Sequence, residues 1–185
     1  MAEISVIIPA YNSCKVLAPC LDALFKQTVP RNQYEIIVVD DGSHDGTDVV
    51  AKSFDVQVIR QEHAGPAVAR NCGVSRSTGK ILLFTDADCA PREDWIEKMT
   101  RPFQDPEIVG VKGVYRTNQR GLVARFVQTE FEEKYDRMRK ADYIDFVDTY
   151  SAGYRKDVFQ ENGGFDPTFP GVSAEDVEFS FRLSQ

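Results

Sequence analysis

Short runs of apolar residues alternate with helical patterns in the first half of the chain. Four runs are rich in β-branched residues and have the length of strands buried on both faces of a sheet: 4–8, 36–39, 56–59 and 81–84. Between them, apolar and small residues predict helices at about 16–25, 45–53 and 66–73. This alternation indicates an α/β fold with a mostly parallel central sheet flanked by helices. Ligands of such sheets gather beyond the carboxyl ends of the strands.

The pattern changes in the second half of the chain. It predicts a helix at 91–103, a strand at 108–115 and a longer amphipathic helix at 121–140. The apolar stripe of the long helix indicates packing against the sheet or a partner. A lipid-facing role is the less favoured alternative, because the opposite face is mixed in charge. From 150 onward we expect a loop-rich stretch that closes with a helix from about Ala174.

Composition narrows the class of protein. A chain of 185 residues is most simply one domain, so we expect a single domain over 1–185. The four cysteines form no CxxC pair and no zinc spacing, which predicts reduced thiols and a cytoplasmic location. The sequence shows no signal-peptide pattern, and no run approaches the roughly 20 apolar residues that cross a bilayer. A net charge of -7 argues against nucleic acid as a partner.

The strand predicted at 81–84 is followed by two carboxylates, Asp86 and Asp88. Two anions one residue apart repel each other, so the pair suits a hard cation or a hydrogen-bonded ligand. A helix N-cap ahead of Pro91 would account for only one of them. Oxygen ligands favour Mn²⁺ or Mg²⁺ over zinc. By itself, however, a D-x-D pattern is common.

Three further groups carry candidate chemistry. Asp40 and Asp41 begin a glycine-containing loop after a predicted strand, which favours ligand recognition over a plain turn. Arg70 lies in a small-residue helix start; it could bind phosphate or carboxylate, or form a surface ion pair, and the residues leave both open. Glu175 and Asp176 could be favourable charge in the first turn of the last helix, which is the favoured interpretation when they are taken alone.

Five segments, taken in order, resemble the family 2 glycosyltransferases of GT-A fold. They are SVIIPAYN with the preceding Ile4, DDGSHDGT (40–47), GPAVARNCG (65–73), GKILLFTDAD (79–88), and GGFDPTF followed by AEDVEF (163–179). Each segment is weak evidence alone, but five in this order make coincidence very unlikely. The resemblance implies a GT-A (Rossmann-like) fold with a nucleotide-sugar-binding half at 1–115 and an acceptor-side half at 116–185.

The resemblance also implies how the donor would be held. The donor would be a nucleoside diphosphate sugar, most often a uridine one, with its base bordered by Pro9, Ala10 and Tyr11. Asp41 would accept a hydrogen bond from the pyrimidine ring N–H, and Asp40 would support that loop.

At the reacting end, the resemblance gives Asp86 to the ribose or sugar hydroxyls. Asp88 would ligate the Mn²⁺ or Mg²⁺ ion that bridges the diphosphate. Arg70 is a candidate contact to the donor. Asp176 would be the general base that deprotonates the acceptor hydroxyl and gives inversion, with Glu175 shaping the acceptor site.

Three functions remain open at this point. An inverting, metal-dependent glycosyltransferase leads. A truncated nucleotide-sugar-binding module without turnover is the first alternative, because the chain stops at Gln185, soon after Asp176, and we expect it to be a fragment. A sugar-1-phosphate nucleotidyltransferase is disfavoured, because a Gly-rich phosphate loop would be expected where this chain has PAYN at 9–12.

The resemblance says least about the acceptor and the place of action. The acceptor would be a glycan, a lipid-linked molecule or a protein, bound by the 116–171 region. The transfer would take place in the cytoplasm or at the inner face of a membrane, as in the synthesis of cell-envelope polysaccharide.

Overall fold

The computed structural model describes residues 2–117, 119, 121–141, 144, 146–168 and 174–184. The strands are β1 (Ile4–Ala10), β2 (Tyr34–Asp40), β3 (Gln57–Arg60), β4 (Ile81–Thr85), β5 (Gly110–Lys112) and β6 (Ser151–Arg155). The helices are α1 (Leu17–Leu24), α2 (Thr47–Lys52), α3 (Pro66–Arg76), α4 (Trp95–Thr100), α5 (Leu122–Met138), α6 (Lys156–Glu161) and α7 (Glu175–Leu183). Short 3₁₀ turns lie at Arg31–Gln33 and Arg101–Gln104.

One sheet connects these strands in the order β3-β2-β1-β4-β6-β5. β1 pairs in parallel with β2 on one side and β4 on the other, and β2 pairs in parallel with β3. β6 runs antiparallel to both β4 and β5. The chain moves outward from β1 to β3 and then crosses back to β4, so the strand order reverses beside β1. Ligands of open α/β sheets bind at such a reversal, beyond the carboxyl ends of the strands.

Helices cover both faces of the sheet. Alternate residues of β1 point to opposite faces, so each face has its own core cluster. Val6 and Ile8 pack into a core cluster with apolar residues of α1, α2 and α4. Ile7 packs into a second cluster with Phe84 of β4 and aromatic residues of α6 and α7. Because the helices cover both faces of the sheet, a site can form only at an edge, and the carboxyl edge of the parallel strands is the expected one.

Helix α3 lies unusually close to the sheet. A Cβ atom on Gly73 would lie 2.5 Å from the Ile7 Cγ2 atom, so only glycine fits without a shift of the helix. Small residues at 65–73 thus permit tight helix-to-sheet packing. The packing also holds the buried Arg70 side chain near the strand ends.

The predicted α/β alternation is confirmed, with four differences. The strand predicted at 108–115 is limited to the three residues of β5. The helix predicted at 91–103 begins only at Trp95 and continues as a 3₁₀ turn. β3 is an edge strand whose first and last residues are exposed, so its expected burial on both faces is wrong. The stretch expected to be loop-rich contains β6 and α6. β6 is rich in small residues and owes its structure to pairing between β4 and β5.

The apolar stripe of α5 is only partly packed. Leu122, Val123 and Phe126 are 84%, 77% and 64% exposed, whereas Tyr135 near the other end is buried. Packing against the sheet is therefore wrong for the first half of the helix, and a partner for it stays a prediction. Among the described residues, every helix is too short or too polar to cross a bilayer.

Candidate active site

Seven of the predicted site residues line one cleft at the carboxyl ends of β1, β2 and β4. The cleft has a volume of about 460 Å³, and these seven are Pro9, Ala10, Tyr11, Asp41, Arg70, Asp86 and Asp88. We call it the strand-end cleft. Residues that are far apart in the sequence meet there because parallel strands end at the same edge of the sheet.

One end of the strand-end cleft is formed by the loops that follow β1 and β2. The Asp41 amide donates to the carbonyl oxygen of Ala10 at 2.8 Å, which continues the pairing of the two strands into the loops. Gly42 has a φ of +78°, and a Cβ there would lie 2.8 Å from the backbone nitrogen of His63. This close approach brings the loop after β3 against Asp41, and the His63 ring stacks on the Tyr11 ring with centroids 4.0 Å apart.

Asp40 does not line the cleft. Its side chain is fully buried, its Oδ1 atom accepts a hydrogen bond from the Ser43 amide at 2.9 Å, and its Oδ2 atom lies 3.6 Å from the Arg60 Nε atom. Ser43 in turn accepts a hydrogen bond from the Asn12 amide at 2.9 Å. Asp40 therefore supports the loop, as the resemblance implied, and holds it to the end of β1.

At the other end of the cleft, Asp86 and Asp88 differ in their surroundings. Burial raises the pKa of the Asp86 carboxyl; Arg70 opposes the increase, and repulsion from Asp88 and Asp176 adds to it. Asp88 is exposed, and no lysine or arginine among the described residues forms an ion pair with it. An open, unpaired carboxylate of this kind fits Mn²⁺ or Mg²⁺, which are held by one or two carboxylates together with ligand phosphates. Within the described part of the chain, no group of three or more potential ligands forms a closed protein cage.

Arg70 joins the two halves of the chain. Its side chain is 6% exposed; Nη1 donates to Glu175 Oε1 at 2.7 Å and Nη2 donates to Asp86 Oδ1 at 3.0 Å. The surface ion pair that the sequence left open is thus a buried one. The bridge fixes the start of α7 beside the strand-end cleft.

Asp176 lies on the first turn of α7, next to Glu175. Its Oδ2 atom accepts from the Thr149 amide at 3.2 Å and from the Thr149 hydroxyl at 3.4 Å, and its Oδ1 atom accepts from the Val177 amide at 2.8 Å. The side chain does not line the cleft but is near enough to repel Asp86. The interpretation of Glu175 and Asp176 as first-turn charge is thus also correct as a description of their position.

Two residues of the site were missed in the sequence. His63 follows β3 as Asp41 follows β2, so its position after a strand end was the available signal. Thr149 precedes β6, and without that strand its position could not be inferred.

The sheet order defines an open α/β protein, and its acidic cleft lies at the reversal point, where proteins of this class bind their ligands. Residues 5–163 match the family described as Glycosyl transferase family 2, and the chain belongs to this family. It is 43% identical to the glycosyltransferase AglE of Haloferax volcanii, over 98% of this chain and 61% of AglE.

Solved structures agree with this assignment. A mannosyltransferase from Pyrobaculum calidifontis, in complex with GDP-Man and Mn²⁺, has a TM-score of 0.77 at 26% identity, over 96% of this chain and 50% of that one. TarS 1-349 from Staphylococcus aureus, in complex with UDP-GlcNAc, has a TM-score of 0.76 at 24% identity and shows the fold alone, over 98% of this chain and 53% of that one. The predicted family and GT-A fold are confirmed, and membership of the family supports the predicted enzyme class, a glycosyltransferase. This chain spans between half and about three fifths of these proteins.

Proposed function

We propose that this chain transfers a sugar, with inversion, from a nucleoside diphosphate sugar to an acceptor hydroxyl. The observation that carries the proposal is the strand-end cleft. One cavity combines the Tyr11 ring, the buried carboxylate of Asp41 and the acidic pair at 86 and 88, of which only the second is open, and the Arg70 bridge ties this cavity to the helix that bears Asp176. A nucleotide needs the first three features, and transfer to a hydroxyl needs a nearby base.

At the donor end, Tyr11 offers a ring on which a base stacks, and Asp41 offers a carboxylate oxygen to a ring N–H. Uracil presents a single N–H there, whereas guanine presents a ring N–H next to an amino group, and this difference supports a uridine donor. The mannosyltransferase described above binds GDP-Man, so a guanosine donor is the competing outcome. In the proposal, Asp86 accepts hydrogen bonds from ribose or sugar hydroxyls.

A divalent cation completes this site in the proposal. Asp88 would hold Mn²⁺ or Mg²⁺, and the ion would neutralise negative charge on the departing diphosphate. The Mn²⁺ complex of the mannosyltransferase supports this choice.

Asp176 acts as the general base. It takes the proton of the acceptor hydroxyl as that oxygen forms a bond to the anomeric carbon, and the bond to the diphosphate breaks with its electron pair leaving on the diphosphate. The hydrogen bonds from Thr149 orient the carboxylate. Glu175, held by Arg70, keeps the first turn of α7 in position at the acceptor side.

The acceptor is the least specified reactant. We propose that the 116–171 region binds it and that it is a glycan, a lipid-linked molecule or a protein. The strand-end cleft accounts for the donor alone.

Donor hydrolysis in the absence of acceptor tests this function. We expect release of nucleoside diphosphate from a uridine diphosphate sugar in the presence of Mn²⁺, and loss of that release in EDTA. Nucleotide binding without release would support the binding module instead. Pyrophosphate release from a nucleoside triphosphate and a sugar phosphate would support nucleotidyl transfer. A panel of uridine and guanosine diphosphate sugars in which none binds or is cleaved would contradict the proposal.

A further inference from the structure

The Asp41 carboxylate already accepts three hydrogen bonds, and the His63 ring covers the remaining position. Oδ1 accepts from the Gln61 Nε2 atom at 2.7 Å and from the Ala64 amide at 2.9 Å. Oδ2 accepts from the Gly65 amide at 2.9 Å, and the His63 Nδ1 atom lies 2.9 Å from Oδ2 and 3.2 Å from the Asp41 carbonyl oxygen. Each carboxylate oxygen has about two lone-pair sites, so Oδ1 is filled and the His63 ring lies against the second site of Oδ2. A base that donates to Asp41 must displace one of these groups.

The His63 ring occupies the position in the cleft that a nucleobase would take. Its ring stacks on Tyr11 with an interplanar angle of 22°, and its Nδ1 atom faces Asp41. The side chain is 55% exposed and lines the strand-end cleft. The Ala64 and Gly65 donors are backbone amides at the entry to α3, where movement would disturb the helix. Gln61 does not line the cleft.

We propose that the His63 ring is a resident substitute for the nucleobase, and that donor binding requires it to leave Tyr11 and Asp41. The inference rests on the proposed function. A flat ring that stacks on Tyr11 and places one ring nitrogen beside the Asp41 carboxylate occupies the two positions assigned there to uracil. His63 therefore lowers the affinity for the donor by the free energy of its own stacking and of its contacts with Asp41.

The displacement of His63 by a nucleobase also affects which base the cleft binds more tightly. Departure of His63 frees one acceptor position, on Asp41 Oδ2, while Oδ1 stays filled by Gln61 and Ala64. The single ring N–H of uracil matches one free position. The neighbouring ring N–H and amino group of guanine would need two, so UDP binds more tightly than GDP.

The two histidines of the chain make the exchange directly observable. His44 is exposed and serves as the internal control for His63 in NMR spectra of the imidazole rings. In the free protein, the Tyr11 ring current shifts the His63 signals upfield. Titration with UDP and Mg²⁺, which is diamagnetic and does not broaden the signals, should move them toward the position of a free histidine and leave the His44 signals in place. UDP binding with the His63 signals still at their upfield position would overturn the inference.

Affinity gives an independent test. The His63→Ala variant should bind UDP about fivefold more tightly than the wild type, the factor that corresponds to one net hydrogen bond. His44→Ala should bind UDP as the wild type does. Weaker binding by His63→Ala would mean that the ring contacts the bound base, and GDP binding more tightly than UDP would contradict the single free position; either result overturns the inference alone. UDP binding to neither the wild type nor His63→Ala would overturn it together with the assignment of a uridine donor.

Discussion

Asp176 lies outside the cleft that we assign to the nucleotide, which separates its role from donor binding. The Asp176→Asn variant keeps an oxygen for the Thr149 amide and loses the ability to take a proton. We expect the transfer rate to fall by about 10²- to 10⁴-fold, the usual contribution of a general base. The dissociation constant of the donor should not change. Rates come from a transfer assay and affinities from calorimetry.

The control for this variant is Asp136→Asn, which removes an exposed carboxylate of α5 paired with Arg139. It should leave both quantities unchanged. A wild-type transfer rate in Asp176→Asn would remove Asp176 from the role of base.

Asp86 lowers the folding stability of the ligand-free protein when its carboxyl group is ionised. Because its pKa in the folded protein is raised above the ordinary value of 3.8, its contribution to stability is complete below that value and is lost as the pH rises through the folded pKa. Asn is neutral throughout and keeps an oxygen for Arg70. We therefore expect Asp86→Asn to have a higher Tm than the wild type at pH 7 without ligand, with a difference that shrinks toward pH 4.

Thermal unfolding followed by circular dichroism across this pH range measures the difference. Asp94→Asn, which removes a carboxylate with a lowered pKa, provides a control of opposite sign. A wild type that is more stable than Asp86→Asn at pH 7 would contradict the prediction.

At the scale of elements, two helices offer the same substitution in opposite environments. Phe159 of α6 is 2% exposed and packs against Phe84, Tyr154, Phe165 and Phe179. Its replacement by alanine should lower the free energy of unfolding by about 3–5 kcal/mol, because the cluster cannot close the cavity. Phe126→Ala on α5 should change it by at most about 0.5 kcal/mol, because that ring is exposed.

Urea unfolding of the two variants measures the loss of the same side chain at a buried position and at an exposed one. Equal losses would show that the apolar face of α5 is covered in solution by a partner such as a second copy of the chain. The prediction of a partner for α5 would then gain its first support.

The elements also show how far the sequence determines this fold. β1, β2 and β4 were predictable because buried parallel strands are continuous apolar runs, and the predicted site residues that follow them lie together for the same reason. β6 was not, because Ser151, Ala152 and Gly153 have little strand propensity and pair with β4 only once the sheet exists. Local patterns carry no trace of such pairing.

The Arg70 bridge, like the pairing of β6, depends on tertiary structure and leaves no local pattern in the sequence. Arg70 and Glu175 are 105 positions apart, and no periodicity connects them. Arg70 was a candidate for binding phosphate or carboxylate, and Glu175 taken alone was expected to be first-turn charge; only the packing of α3 and α7 on one face of the sheet reveals that they bind each other.

For the whole molecule, the cleft makes stability depend on ligand. A nucleotide that binds only the folded state at about 100 times its dissociation constant adds about 2.7 kcal/mol to the free energy of unfolding. For a domain of this size that corresponds to a rise in Tm of roughly 5–10 °C. Because the cleft joins the ends of three strands and is tied to α7 through Arg70, we expect the entire unfolding transition to shift with UDP and Mn²⁺.

The dependence of this increase in Tm on Mn²⁺ identifies the residue that holds the cation. EDTA should remove most of the increase in Tm, since the diphosphate then meets the carboxylates of Asp86 and Asp88 without a cation between them. In Asp88→Asn the Tm with UDP should no longer depend on Mn²⁺, whereas Asp94→Asn, a surface acid paired with Lys98, should respond as the wild type does. If Asp88→Asn kept the full Mn²⁺-dependent shift, the cation would be held elsewhere and the division of roles between Asp86 and Asp88 would be wrong.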